Sequence, residues 1–206
     1  VLKELDTLTD SKAIISTDVG QHQMWTAQFC KTNEERKWLS SGGAGTMGYG
    51  LPSAIGAQLG CPDELVVAVV GDGGFQMTMP ELATAAIHKL PIKILIINNR
   101  YLGMVRQWQQ LFFDNRESGV DMMGNPDFVK IGEAYGIKGF HLRRTGDITK
   151  VLQKALDYNE GPCIIEAEVV KSDNVFPMIP AGAAVAEMII DEPPSDKKLE
   201  KPVGST

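Results

Sequence analysis

The 206 residues, 43% apolar and 22% charged, have the composition of an ordinary globular domain and enough length for one sizeable core. A formal net charge of −6, with no basic cluster to reverse it locally, excludes long-range attraction to nucleic acid or to an anionic membrane, and apolar runs such as Ile92 to Ile97 are too short to span a bilayer. Cys30, Cys61 and Cys163 follow no metal-ligand spacing, and their odd number argues for a reducing compartment rather than a disulfide framework. A small-molecule ligand is what remains.

Val1 to Asp10 is charged and starts without Met, which reads as a chain begun by cleavage or at a boundary and not as a signal peptide. From there, short β-branched runs alternate with amphipathic stretches, the pattern of parallel strands joined by crossover helices. The predicted strands are Ala13 to Ser16, Trp38 to Ser40, Leu65 to Val70, Ile92 to Ile97, Gly139 to Leu142 and Cys163 to Val169. Most are apolar throughout, as strands covered by helices on both faces must be. Thr78 with Glu81 predicts a capping box opening a helix to about Lys89, with Pro80 tolerated in the first turn. Asn125-Pro126 predicts a second helix, ended by Gly136 in a left-handed conformation, and Asp147 a third, to about Tyr158. Beyond Lys171, a Pro-, Gly- and Ala-rich stretch reads as ordered coil, and 191–206 as a polar tail after a single 1–190 domain. The expected fold class is α/β: a doubly wound, mostly parallel six-stranded sheet with helices on both faces.

In such a sheet, ligands bind beyond the carboxyl ends of the strands. The unusual residues collect there. Asp18-Val19-Gly20-Gln21-His22-Gln23 follows the first strand, Ser41 to Gly50 with five glycines the second, Gly71-Asp72-Gly73-Gly74 the third and Asn98-Asn99-Arg100-Tyr101 the fourth. Glycine lets main-chain amides approach a ligand closely, and helix N-termini suit phosphate. These loops hold no Lys or Arg before Arg100, so a diphosphate would need a divalent cation held by oxygen ligands. Asp72 and Asn99 are its natural ligands, with a main-chain carbonyl just beyond Asn99. Gly43 to Gly48 also satisfies the dinucleotide fingerprint G-x-G-x-x-G. However, Asp72 lies 29 residues on (72 minus 43), beyond the spacing of about 20 for a ribose-binding acid. That alternative also leaves Gly73-Gly74 and Asn98-Asn99 without a role.

Gly71-Asp72-Gly73 paired with Asn98-Asn99 resembles the signature of thiamine-diphosphate-dependent enzymes. Within that superfamily, Gly20-Gln21-His22-Gln23-Met24-Trp25, Gly45-Thr46-Met47-Gly48 and Gly103-Met104-Val105-Arg106-Gln107-Trp108 resemble the catalytic subunit of acetohydroxyacid (acetolactate) synthases, from about Asp18 to Ile190. The resemblance implies the thiamine-diphosphate-binding fold, with magnesium on Asp72, Asn99 and the Tyr101 carbonyl. Gly20, Gln21, His22, Gly73 and Gly74 would face the diphosphate. Gly45 and Met47 would face the aminopyrimidine, Met47 keeping the two cofactor rings folded together. It further implies decarboxylation of pyruvate and transfer of the two-carbon unit to a second 2-keto acid, pyruvate or 2-ketobutyrate, in branched-chain amino acid biosynthesis, with Met104 lining the pocket and Trp108 selecting the acceptor. The activating glutamate belongs to a pyrimidine-binding domain, usually of a neighbouring subunit, and FAD to a central domain. Neither has a match here, so the chain corresponds to roughly the last third of such an enzyme and is expected to be inactive alone. A homo-oligomer in the cytoplasm, or in a plastid for a plant or alga, with room for a regulatory small subunit, completes the expectation. His88 and His141 read as surface or packing residues. Val175 to Gly182 resembles the family's C-terminal stretch that closes near the site.

Overall fold

A computed structural model describes residues 1–32 and 34–193. Its six strands are β1 (Ile14–Thr17), β2 (Trp38–Ser40), β3 (Val66–Gly71), β4 (Lys93–Asn98), β5 (Lys138–Leu142) and β6 (Cys163–Glu168). All neighbouring pairs are parallel, in the order β2-β1-β3-β4-β6-β5. Eight helices connect or flank them: α1 (Leu2–Leu8), α2 (Gln21–Phe29), α3 (Gly50–Gly60), α4 (Asp72–Thr78), α5 (Leu82–Ile87), α6 (Gly103–Phe112), α7 (Phe128–Ala134) and α8 (Ile148–Asp157).

The two-residue period of a strand divides the core into two layers. Val66, Ala68 and Val70 of β3 and Ile94 and Ile96 of β4 face one side, against Leu51 and Ala54 of α3, Phe75 of α4, Leu82 of α5 and Phe128 of α7. Val67 and Val69, with Leu95 and Ile97, face the other, against Leu2 and Leu5 of α1 and Leu152 and Ala155 of α8. Each such Val, Leu or Ile contributes about 1.5–3 kcal/mol by leaving water, so the central strands hold the scaffold rigid beneath their carboxyl-end loops. Among the described residues, no helix is long and apolar enough to cross a membrane.

Strand positions agree with the sequence reading to within two residues, whereas the helix starts differ in instructive ways. The expected capping box at Thr78 does not form. Thr78 Oγ1 is buried without a partner, and the helix begins six positions earlier, at Asp72, directly off β3. Pro80, which has no N–H to donate, interrupts it as a 3-10 turn at Met79–Glu81 before α5 resumes. The helix expected from Asn125-Pro126 starts at Phe128, with Asp127 as its cap accepting from Lys130 N–H at 3.1 Å, because the Asn125 side chain is engaged elsewhere. Gly136 does end it, at φ +72°. Asp147 precedes α8 as expected but makes no side-chain cap bond. The charged start, given no secondary structure in the sequence reading, is helix α1, whose Leu2 and Leu5 are buried. The 171–190 stretch is coil with one short 3-10 turn, and the expected polar tail lies outside the described residues from 194 on.

Candidate functional site

From β1 the chain crosses to β2 at one edge of the sheet, and from β3 it crosses to β4 in the opposite direction, although β1 and β3 are neighbours. Connections that diverge in this way leave a crevice over the carboxyl ends of the two strands. A cavity of about 250 Å³ lies there, lined by Gly20, Gln21 and His22, by Gly45 and Met47, by Gly71, Gly73 and Gly74, and by Asn99, Tyr101 and Met104. All four glycine or amide loops singled out in the sequence converge on it. Its wall contains no Lys, Arg, Asp or Glu.

The convergence has a physical centre that sequence reasoning missed. Asp18, wholly buried at the end of β1, accepts hydrogen bonds from Val19 N–H (2.8 Å), Gly48 N–H (3.0 Å) and Gly50 N–H (2.8 Å). Its carboxylate therefore pins the loop carrying Gly45 and Met47 onto the sheet. Gly74 must lack a side chain because a Cβ there would land on the Asp18 carboxylate. The signal was present in the sequence as an acid at a strand end followed by glycine, but only the fold shows which amides it serves.

His22, in the first turn of α2, is buried, and its Nε2 has no partner among the described residues. Burial pushes its imidazole down to about 4, against an upward pull from Asp18, so the ring is neutral at pH 7. A buried neutral ring with an orphaned nitrogen beside the cavity suits a polar ligand. Gln21 is different: its side-chain amide is fully engaged with Gln107, Asp173 and Asn99. What it offers the cavity is its main-chain N–H, which in the first helical turn lacks an intrahelical partner.

Asp72 directly follows β3 and Asn99 directly follows β4; with Gly71 in register with Ile97, Asn99 lies one residue further along the sheet edge than Asp72. Burial holds the Asp72 carboxyl up at about 6, despite hydrogen bonds from Asn125 and from the main-chain N–H groups of Gly73 and Arg100. Asn125 Nδ2 orients this carboxylate from 2.6 Å and is itself held by Gln76. The role of Asn125 was also invisible in sequence, where it read as a helix cap. Arg100, between Asn99 and Tyr101, adopts φ +58°, a left-handed conformation that turns the chain sharply at this crest. The buried Asp72 carboxylate, the Asn99 carboxamide and main-chain carbonyls, with no basic side chain in the cavity wall, form the kind of oxygen donor set that a hard divalent cation takes.

Trp108 does not line this cavity. It packs edge-on against Phe112 (ring centroids 5.3 Å apart) and borders a separate groove with Val105, Gln109, Phe113 and Arg116. His141, read as a surface or packing residue, is one-third exposed and sits between Glu166 (Nδ1 to Oε2, 3.2 Å) and Asp127 (Nε2 to Oδ1, 3.9 Å).

Residues 18–167 match the family model described as thiamine pyrophosphate enzyme, C-terminal TPP binding domain. The chain is 51% identical over 178 residues to the acetolactate synthase large subunit of Pyropia yezoensis, an alignment covering 86% of this chain and 30% of that protein. It is 42% identical over 189 residues to the acetolactate synthase isozyme 2 large subunit of Escherichia coli (92% and 34% covered) and 43% identical over 204 residues to a probable acetolactate synthase large subunit of Methanococcus aeolicus (96% and 34%). The chain thus spans about a third of the length of the curated relatives it matches.

Proposed function

The chain belongs to the thiamine pyrophosphate enzyme family, as a C-terminal TPP-binding domain, and from that membership we propose that its carboxyl-edge cavity binds thiamine diphosphate through Mg²⁺ as part of an acetolactate synthase. The observation that carries this is a cavity walled by glycine backbone and free of basic side chains, lined by Asn99 and by Gly71 and Gly73, the glycines on either side of the buried Asp72. A diphosphate there needs a cation, and the Asp72 carboxyl, next to Gly71 and Gly73 of the cavity wall, is buried at an energetic cost that a cation would offset.

In this reading Asp72, Asn99 and the Tyr101 carbonyl hold the ion. The main-chain amides of Gln21, Gly73 and Gly74, the turn at Gly20 and the orphaned Nε2 of His22 face the diphosphate. Gly45 and Met47, on the loop that Asp18 pins, face the aminopyrimidine. When bound, the cofactor supplies the electron sink for decarboxylation of a 2-keto acid, pyruvate in this enzyme class, while the protein supplies orientation. Met104 walls the substrate space, and Trp108, four residues further along α6 and bordering the separate groove, is assigned to the second 2-keto acid by the family resemblance alone. As the family resemblance implies, the glutamate beside the pyrimidine is supplied by a pyrimidine-binding domain of a neighbouring subunit in a homo-oligomer. The whole enzyme works in the cytoplasm, or in the plastid of a plant or alga, and carries FAD elsewhere. Calorimetry decides the core of this: thiamine diphosphate should give binding heat only with Mg²⁺ present, and equal heat in EDTA would refute the assignment.

A further inference from the structure

Three side-chain amides run in line from the backbone of the 172–176 strap to the proposed cation site. Val175 N–H donates to Gln107 Oε1 at 2.8 Å, and Gln107 Nε2 donates to the Val175 carbonyl at 2.9 Å. A main-chain N–H can only donate and a main-chain carbonyl can only accept, so this pair fixes which end of the Gln107 amide is oxygen. Gln107 Oε1 then accepts from Gln21 Nε2 at 2.9 Å, and the second hydrogen of that amide goes to the Asp173 carbonyl at 2.9 Å. Gln21 Oε1 remains as acceptor for Asn99 Nδ2 at 3.1 Å. Asn99 Oδ1 accepts from Tyr101 N–H at 3.0 Å, which fixes the chain of amides from its other end and leaves that oxygen a second lone pair. Reversing any one amide would set donor against donor or acceptor against acceptor. Gln107 is wholly buried, Gln21 2% exposed and Asn99 7%, so water cannot make good the mismatch. Gly103 makes room for the joint, because a Cβ there would land on Gln21 Oε1 and Asn99 Nδ2.

We propose that Gln107 and the side chain of Gln21 are positioning residues that hold the Asn99 amide with its oxygen towards the magnesium ion, and that Gln21 meets the diphosphate through its main-chain N–H alone. The proposal rests on the cation reading above and adds to it a division of labour within one residue. It also predicts that loss of Gln107, which touches neither ion nor cofactor, is felt as a metal defect.

The test titrates the chain calorimetrically in two ways: Mg²⁺ at fixed saturating thiamine diphosphate, and thiamine diphosphate at saturating Mg²⁺. Gln21→Leu and Gln107→Leu should each raise the Mg²⁺ concentration for half-saturation about tenfold, corresponding to about 1.4 kcal/mol, while thiamine diphosphate affinity at saturating Mg²⁺ moves less than about twofold. The double variant should be no worse than the worse single, the non-additivity of residues acting in one chain of contacts. Gly103→Ala removes no polar group and should give the same Mg²⁺ defect by pushing the joint apart, which keeps the test decisive where a leucine variant melts. Single effects that multiply in the double, or a loss that persists at saturating Mg²⁺, would overturn the relay and return the Gln21 amide to the diphosphate. A wild-type chain that binds no thiamine diphosphate with Mg²⁺ overturns the cofactor reading and the relay with it; variants that titrate like a binding wild type overturn the relay alone.

Discussion

Over β1, β3 and β4, the carboxyl edge of the sheet sets main-chain amides and the carboxamide of Asn99 around a cavity, with the buried Asp72 next to Gly71 and Gly73 of its wall. Over β4, β6 and β5, the same edge pairs its polar groups with one another, burying Asn98 and Glu166 and leaving His141, Asp127, Arg143 and Glu168 partly exposed. Asn98 Nδ2 donates to Glu166 Oε1 at 2.8 Å, His141 stands between Glu166 and Asp127, Asp127 caps α7, and Arg143 Nε donates to Glu168 at 2.8 Å. Asn98 and Asn99 mark the divide, the first side chain committed to the closed half and the second to the open one. Buried polarity alone therefore does not mark a site. What marks the open half is a cavity walled by glycine backbone, with the unpartnered His22 Nε2 beside it and the buried Asp72 carboxyl, raised to about 6, next to its wall.

If this division is right, matched substitutions in the two halves should do opposite things. Asp72→Asn should weaken Mg²⁺-dependent thiamine diphosphate binding by at least about 100-fold, since it removes the only charge offered to the ion. Its melting temperature should not fall, because a buried carboxylate is costly. Glu166→Ala should cost about 3 kcal/mol in a denaturant titration, by stranding Asn98 and His141, while shifting cofactor affinity less than about fivefold. A stable Glu166→Ala or a strongly destabilised Asp72→Asn would erase the contrast. Gly74→Ala joins the two kinds of loss: its Cβ meets the Asp18 carboxylate, so about 2 kcal/mol of stability should go together with the placement of the Met47 loop. Near-wild-type melting of Gly74→Ala would show that Asp18 does not clamp this loop tightly.

The sequence carried the scaffold and the open half further than the closed half, for a physical reason. Six strands were legible because strands covered on both faces must be apolar throughout, as Val66 to Val70 are. The ligand loops were legible because glycine where chain meets ligand is a local requirement. Asp18, Asn125 and Gln107 were not, since they act on partners such as Gly48, Asp72 and Gln21, which lie 30, 53 and 86 positions away, and no local pattern encodes such a pairing. The Thr78–Glu81 box misled for the converse reason. It is a sound local signal, but the chain had already entered a helix at Asp72, where the fold needed one.

The smallest expected effect is one of pH, and it separates the two buried titratable groups of the open half, His22 and Asp72, from each other. His22 is held near 4 against an ordinary 6.5, so the unfolded chain binds the extra proton as pH falls from 7 to 5.5. The folded state then loses about 1 kcal/mol. Asp72 is held near 6 against 3.8, so in the cation-free protein the folded state takes the proton first and gains slightly less than that over the same interval. The two slopes oppose, and the cation-free wild type should show nearly constant stability between pH 7 and 5.5 in denaturant titrations. Asp72→Asn removes the compensating gain and should expose the His22 slope as a loss of about 1 kcal/mol. An Asp72→Asn chain as flat as the wild type would mean that His22 is not held neutral by burial, and its unpartnered nitrogen would no longer count among the features that distinguish the open half.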